Sequence, residues 1–166
     1  MMDAFNVRTL AVGQWRELAL SGRAVPVRIL VNGDSMRPLI RRQLDYVTII
    51  PMDRPPRPGD IVLFPGKRLG GDYVLHRVWK VEGRRMLTLG DGCLTLDGWM
   101  DAGAAWGRVT RIERGRLTID PNRPFWRAAA WLWMGLYPVR GRLLFPKRVF
   151  RAVRRVGIRI IRFNRP

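Results

Sequence analysis

The sequence predicts a mainly β protein with a short N-terminal helix and a basic helical tail. Three observations carry that prediction. Between Val27 and Ile119, short β-branched runs alternate with Pro and Gly. Helical spacing of apolar residues flanks that stretch on both sides. Charge is unevenly divided: residues 121–166 hold 12 of the 31 basic residues and none of the 13 acidic ones. A chain of 166 residues, 47% hydrophobic, can bury one core of ordinary size. The expected division is a helix in 1–24, a β core over 25–120 and a tail over 121–166.

Residues 5–20, FNVRTLAVGQWRELAL, set Val7, Leu10, Ala11, Trp15 and Leu18 near one helical face, and Ser21-Gly22 is the stop. The expected strands are VRILV, DYVTIIP, DIVLF, YVLHRVWKV, RMLTL, WGRVTRIE and RLTID. VEGRR and ERGR join neighbouring runs through a Gly, as hairpins do, and PMDRPPRPGD is a proline-stiffened loop. After Pro121 the pattern turns helical. FWRAAAWLWMGLY, residues 125–137, is nearly uncharged but stops at Pro138, short of a span. In 147–163, Val149, Phe150, Val153, Val156, Ile160, Ile161 and Phe163 gather opposite Arg148, Arg151, Arg154, Arg155, Arg159 and Arg162.

That second segment fits a helix lying in the plane of an anionic membrane, with 125–163 as the contacting region. Two other readings stand beside it: packing of the apolar stripe on the β core or a partner, and nucleic-acid binding driven by the Arg excess. No base-reading module accompanies the charge, which sets nucleic acid behind the membrane. Asp3, Arg8, Arg16 and Glu17 interrupt the first 20 residues, so neither a secretory signal core nor a transmembrane anchor is expected. The expected location is peripheral, on the cytoplasmic face of a membrane. Cys93 is the only cysteine and His76 the only histidine, which removes disulfide scaffolds and Cys–His zinc sites; no metal or other cofactor is expected. Cys93 carries no distinct role.

Ser35 lies in VNGDSMRPLI, after a strand and before a Pro-containing turn. A serine hydroxyl is a weak nucleophile and needs a neighbouring base. His76, the one side chain that ordinarily titrates near neutrality, is the candidate. On the strand YVLHRVWKV it shares a face with Val74 and Val78, while Arg77 points away. Lys67 and Lys80 are alternative bases if burial lowers their pKa. Lys80 is four residues past His76, ~13 Å along a strand, so one serine cannot meet both.

Gly33-Asp34-Ser35-Met36-Arg37-Pro38, then Asp45-Tyr46-Val47, Pro58-Gly59-Asp60-Ile61-Val62-Leu63-Phe64, His76-Arg77-Val78, Gly90-Asp91 with Asp97, and Gly107-Arg108-Val109 follow one another in this order. Together they resemble the boxes of the signal peptidase I and LexA-like serine protease superfamily. Histidine stands where one branch has lysine, so the chain is most similar to the Ser-His branch of archaeal and endoplasmic-reticulum signal peptidases. The resemblance implies a serine endopeptidase that cleaves a leader or precursor peptide near small residues, with a signal-peptidase-like β core. In it Ser35 is the nucleophile, His76 the base and Asp97 the supporting acid, with Asp91 as the fallback that shapes the loop or meets the substrate. Met36 and Val74 are expected pocket walls, and the substrate, a peptide or preprotein, lies beside the site as an extended strand. Signal peptidases carry an N-terminal membrane anchor, which is not expected here, and the Gly-Asp-Ser-Met spelling is LexA-like. A noncatalytic or self-cleaving regulator that binds a strand is therefore the second expectation, and a nucleic-acid-binding protein the third.

Overall fold

Trp15 is the largest side chain in the core, and the helix that carries it, α1 (Val12–Leu20), is seated on the sheet through it. The computed structural model describes residues 12–23, 25–66 and 73–139. The helix ends as the sequence expects: Gly22 takes φ +71°, and Arg23 N–H donates to the Leu18 carbonyl at 2.9 Å, closing the last turn. Residues 5–11 of the expected helix lie outside the described residues.

Among the described residues eight strands follow: β1 (Val27–Leu30), β2 (Tyr46–Pro51), β3 (Ile61–Pro65), β4 (Tyr73–Glu82), β5 (Arg85–Leu89), β6 (Trp99–Asp101), β7 (Gly107–Arg114) and β8 (Leu117–Ile119). All pairings are antiparallel, in the order β1-β2-β7-β3-β4-β5-β6, with β8 on β7. The protein is thus mainly β, as the sequence predicts. Both hairpin turns use Gly where φ is positive: Gly83 at +54° between β4 and β5, and Gly115 at +57° between β7 and β8. Each is the first of two connecting residues, the place where a tight hairpin favours Gly. The sequence does not reveal β6. Trp-Met-Asp is only three residues long, and it is held as a strand by pairing with Arg85, Met86 and Leu87.

The sheet carries two cores. The larger gathers Trp15, Met36, Ile40, Ile49, Ile61, Leu63, Val109 and Ile112. The smaller holds Val62, Phe64, Val78, Met86 and Ala105. Neighbours along β3 fall into different cores because side chains alternate across a strand. Gly107 lets the layers close: a Cβ there would sit 2.6 Å from the Trp15 ring and 2.7 Å from the Ile50 carbonyl.

α2 (Pro124–Gly135) opens on a Pro, which suits a first helical position. Its inner face belongs with the sheet: Ala130 and Met134 are buried, and Trp126 packs against the larger core. The compact body accordingly runs to Met134, beyond the boundary at 121 expected from composition. Trp15, expected on the apolar face of the N-terminal helix, is 2% exposed and donates its indole N–H to the Val25 carbonyl, so it serves the core. The amphipathic segment 147–163 lies outside the described residues. No helix among the described residues is long and apolar enough to cross a membrane.

Candidate active site

β4 positions the base. Val74, His76 and Val78 alternate on one face of it, and the register sets His76 beside Val62 on β3. The imidazole is therefore driven into the smaller core, 7% exposed, with the Phe64 ring edge-on at 6.1 Å between centroids. A buried imidazole needs its nitrogens satisfied. Nδ1 donates to Asp97 Oδ2 at 2.6 Å, and the same oxygen accepts the Thr88 hydroxyl at 2.7 Å. Asp97 is held at this point because its own N–H donates to the Thr88 carbonyl at 3.0 Å.

The other nitrogen, Nε2, faces a crowded corner made by Gly90. A Cβ on Gly90 would lie 2.6 Å from the Ser35 carbonyl oxygen, 2.8 Å from Cys93 Sγ and 2.9 Å from His76 Nε2. Only a glycine allows these three groups to close around one point. The Ser35 segment is fastened there by Gly92 N–H, which donates to the Ser35 carbonyl at 2.7 Å. His76 and Asp97 are thus joined, and the Ser35 backbone is brought against them. Among the described residues the Ser35 hydroxyl bonds no partner, and the Ser35 N–H donates to no protein acceptor.

Cys93 is the functional neighbour that the sequence does not disclose. Its Sγ and His76 Nε2 lie within 2.9 Å of the same point, that of a Gly90 Cβ, and the thiol donates to the Ser35 carbonyl oxygen at 4.0 Å. The available signal is spacing: Cys93 and Asp97 are four residues apart in GDGCLTLD, so one loop can bracket a ring from both sides. Burial disfavours the charged imidazolium, but the Asp97 hydrogen bond and then the Cys93 sulfur outweigh it and raise the His76 pKa to about 9.

Asp91, expected to shape the loop or meet the substrate, bonds the Arg77 guanidinium with its side chain. It is 2% exposed and gripped by Arg77, Nε to Oδ1 at 2.8 Å and Nη2 to Oδ2 at 2.7 Å. Arg77 does point away from His76, as strand alternation requires, but it is buried and also donates to the Gly59 carbonyl at 2.8 Å. The pair braces the far side of β4, where a cavity of about 250 Å³ lies between Leu39, Arg77, Asp91, Trp126 and Trp133. Met36, expected as a pocket wall, is 1% exposed in the larger core. Val74 does line a cleft of about 240 Å³ with Phe64, Asp97 and Met100, beside the His–Asp pair. Lys80 is exposed and pairs with Glu82 at 2.5 Å, and Lys67 lies outside the described residues. No three His, Cys, Asp or Glu side chains among the described residues are grouped to hold a metal ion.

The loop from Gly33 to Asp45 is anchored at its far end. Asp45 is wholly buried, and Arg114 on β7 reaches it at 2.7 Å while also donating to the Leu39 carbonyl at 2.8 Å. Burial works against its charge, but hydrogen bonds from Arg114 and the Arg41 N–H hold its pKa below the usual carboxylate value. Comparison with protein-family models, with curated proteins and with solved structures finds no match.

Proposed function

We propose that the chain is a serine endopeptidase of the signal-peptidase kind, with Ser35 as nucleophile, His76 as general base and Asp97 as its support. The observation that carries this reading is the 2.6 Å Nδ1–Oδ2 bond of His76 and Asp97, with the Ser35 backbone against the opposite nitrogen. Nδ1 bonded to a carboxylate leaves Nε2 to take a proton, the tautomer that hydroxyl activation requires. Catalytic hydrogen bonds are often loose without substrate, so the hydroxyl turns onto Nε2 when a peptide binds. The Ser35 N–H is then a donor for the tetrahedral oxyanion. The edge strand β1, five residues before Ser35, offers main-chain pairing to an extended peptide, and the cleft at Val74 accepts a small side chain.

The full-length protein is expected to cut a leader peptide in trans. Ser35→Ala and His76→Ala each lower kcat/KM to background, and Asp97→Asn lowers it about 10⁴-fold, with far-UV circular dichroism unchanged. Equal turnover by wild type and Ser35→Ala eliminates the reading, and a single internal cut in the intact mass points to a self-cleaving regulator instead.

Peripheral membrane attachment belongs to the same proposal. The outer face of α2 leaves Phe125 72%, Trp131 50% and Leu132 68% exposed on a chain of net charge +18. Aromatic and aliphatic side chains on a basic protein suit an anionic bilayer interface. Replacing these three by Ser is expected to weaken flotation with phosphatidylserine vesicles, and unchanged flotation removes α2 from the contact.

A further inference from the structure

We propose that Cys93 is a second nucleophile served by the His76–Asp97 pair, a thiol site for low-molecular-weight disulfides whose modification closes the Ser35 site. The inference rests on the serine reading only for its second half.

The geometry places one base between two nucleophiles. Nδ1 of His76 is occupied by Asp97 at 2.6 Å, so Nε2 is the imidazole atom left to face Cys93. That nitrogen and Cys93 Sγ both lie within 2.9 Å of the point a Gly90 Cβ would fill. A sulfur on one imidazole nitrogen and a carboxylate on the other is the arrangement that activates thiols in cysteine hydrolases. The loop builds it locally: Cys93 N–H donates to the Gly90 carbonyl at 2.9 Å, turning the sulfur inward, and Asp97 closes on the opposite side of the ring. Cys93 is only half-buried, so a small reagent can reach it. Thiolates attack disulfides far faster than thiols do, so a neighbouring base that takes the proton as the bond forms speeds the exchange.

In the exchange, Nε2 of the unprotonated imidazole, the form that appears as pH rises toward about 9, takes the thiol proton as Cys93 Sγ attacks one sulfur of the disulfide. The Cys93 S–S bond forms, the reagent's S–S bond breaks, and the departing thiolate recovers the proton from Nε2. Cys93 is oxidised to a mixed disulfide and half of the reagent is reduced to a thiol. The adduct then occupies the corner where the Ser35 hydroxyl must meet Nε2. A thiol reductant reverses the reaction.

The full chain with its one cysteine makes the test unambiguous. Native protein is mixed, at a series of pH values from about 7 to 9, with 5,5′-dithiobis(2-nitrobenzoate), and in parallel with oxidised glutathione, and the rate and intact mass are followed. Wild type is expected to gain one adduct about tenfold faster than His76→Asn, with Asp97→Asn between them. It is also expected to outpace the same chain unfolded in urea, a comparison that needs no variant. Equal rates in wild type and His76→Asn, or a native rate below the unfolded one, overturn the inference. A fluorophosphonate then reports on Ser35: its adduct is expected in reduced protein and absent from the mixed disulfide. Undiminished labelling of the mixed disulfide overturns the closing role. Fast thiol exchange with no fluorophosphonate adduct in either form sinks the serine reading and leaves the thiol site standing. Slow exchange with a Ser35 adduct does the reverse.

Discussion

Thr88 donates its hydroxyl to Asp97 Oδ2 at 2.7 Å, the oxygen that also accepts His76 Nδ1–H at 2.6 Å. Thr88 is wholly buried on β5, so the carboxylate that orients the imidazole is itself oriented by a strand of the sheet. Thr88→Val keeps the shape and removes the donor. It is expected to lower stability by about 1 kcal/mol in urea titration, while Thr88→Ser recovers most of the loss. Equal midpoints for Val and wild type would show that the hydroxyl holds nothing.

The protonation of His76 sets a pH dependence. Its folded pKa is raised to about 9 from an ordinary 6.5. The resulting stabilisation is fully present below about 6.5 and is lost as pH rises through about 9. Stability at pH 6 is therefore expected to exceed that at pH 9.5, and Asp97→Asn flattens the difference. The catalytic base form appears as pH rises toward 9, so kcat/KM climbs over the same interval. Cys93→Ala removes one of the groups that raise the value, and an NMR titration of the single imidazole is expected to move down. A titration midpoint at or below the ordinary value would refute the assignment of both partners.

The Arg77–Asp91 pair is buried, with side chains 4% and 3% exposed. Removing one partner leaves the other charge in the interior without compensation. Asp91→Ala is expected to cost about 3–5 kcal/mol, whereas the paired change Arg77→Met with Asp91→Leu costs much less. Comparable losses for the single and double variants would mean that the ion pair is not the reason for the penalty. Catalysis, measured on whatever fraction remains folded, is expected to survive, because neither residue touches the imidazole.

Gly90 packs the nucleophile's segment against the base. A methyl group there meets the Ser35 backbone carbonyl at 2.6 Å, and backbone moves less cheaply than the end of a long side chain. Gly90→Ala is expected to destabilise by roughly 1–3 kcal/mol and to lower kcat more than it raises KM. Wild-type kcat in this variant would show that the corner has room to spare.

The alternating β-branched runs were enough to predict a mainly β protein, because a period of two and glycine-punctuated turns are local properties. Gly83, Gly115 and Gly22 were legible for the same reason: each occupies a backbone conformation that other residues avoid. His76 and Val74 on one face of β4 also follow from alternation alone. Other features depend on partners distant along the chain. Asp91 and Asp97 are equivalent as letters in GDGCLTLD, and only packing assigns one to Arg77 on the far face of β4 and the other to His76. Three-residue β6 has no signal of its own and exists through its pairing with β5. Trp15 reads only as one residue of an apolar helical face until the sheet covers it. Cys93 carries no message until the loop folds back on β4, because the effect of a sulfur beside an imidazole depends on a separation in space that chain order does not encode.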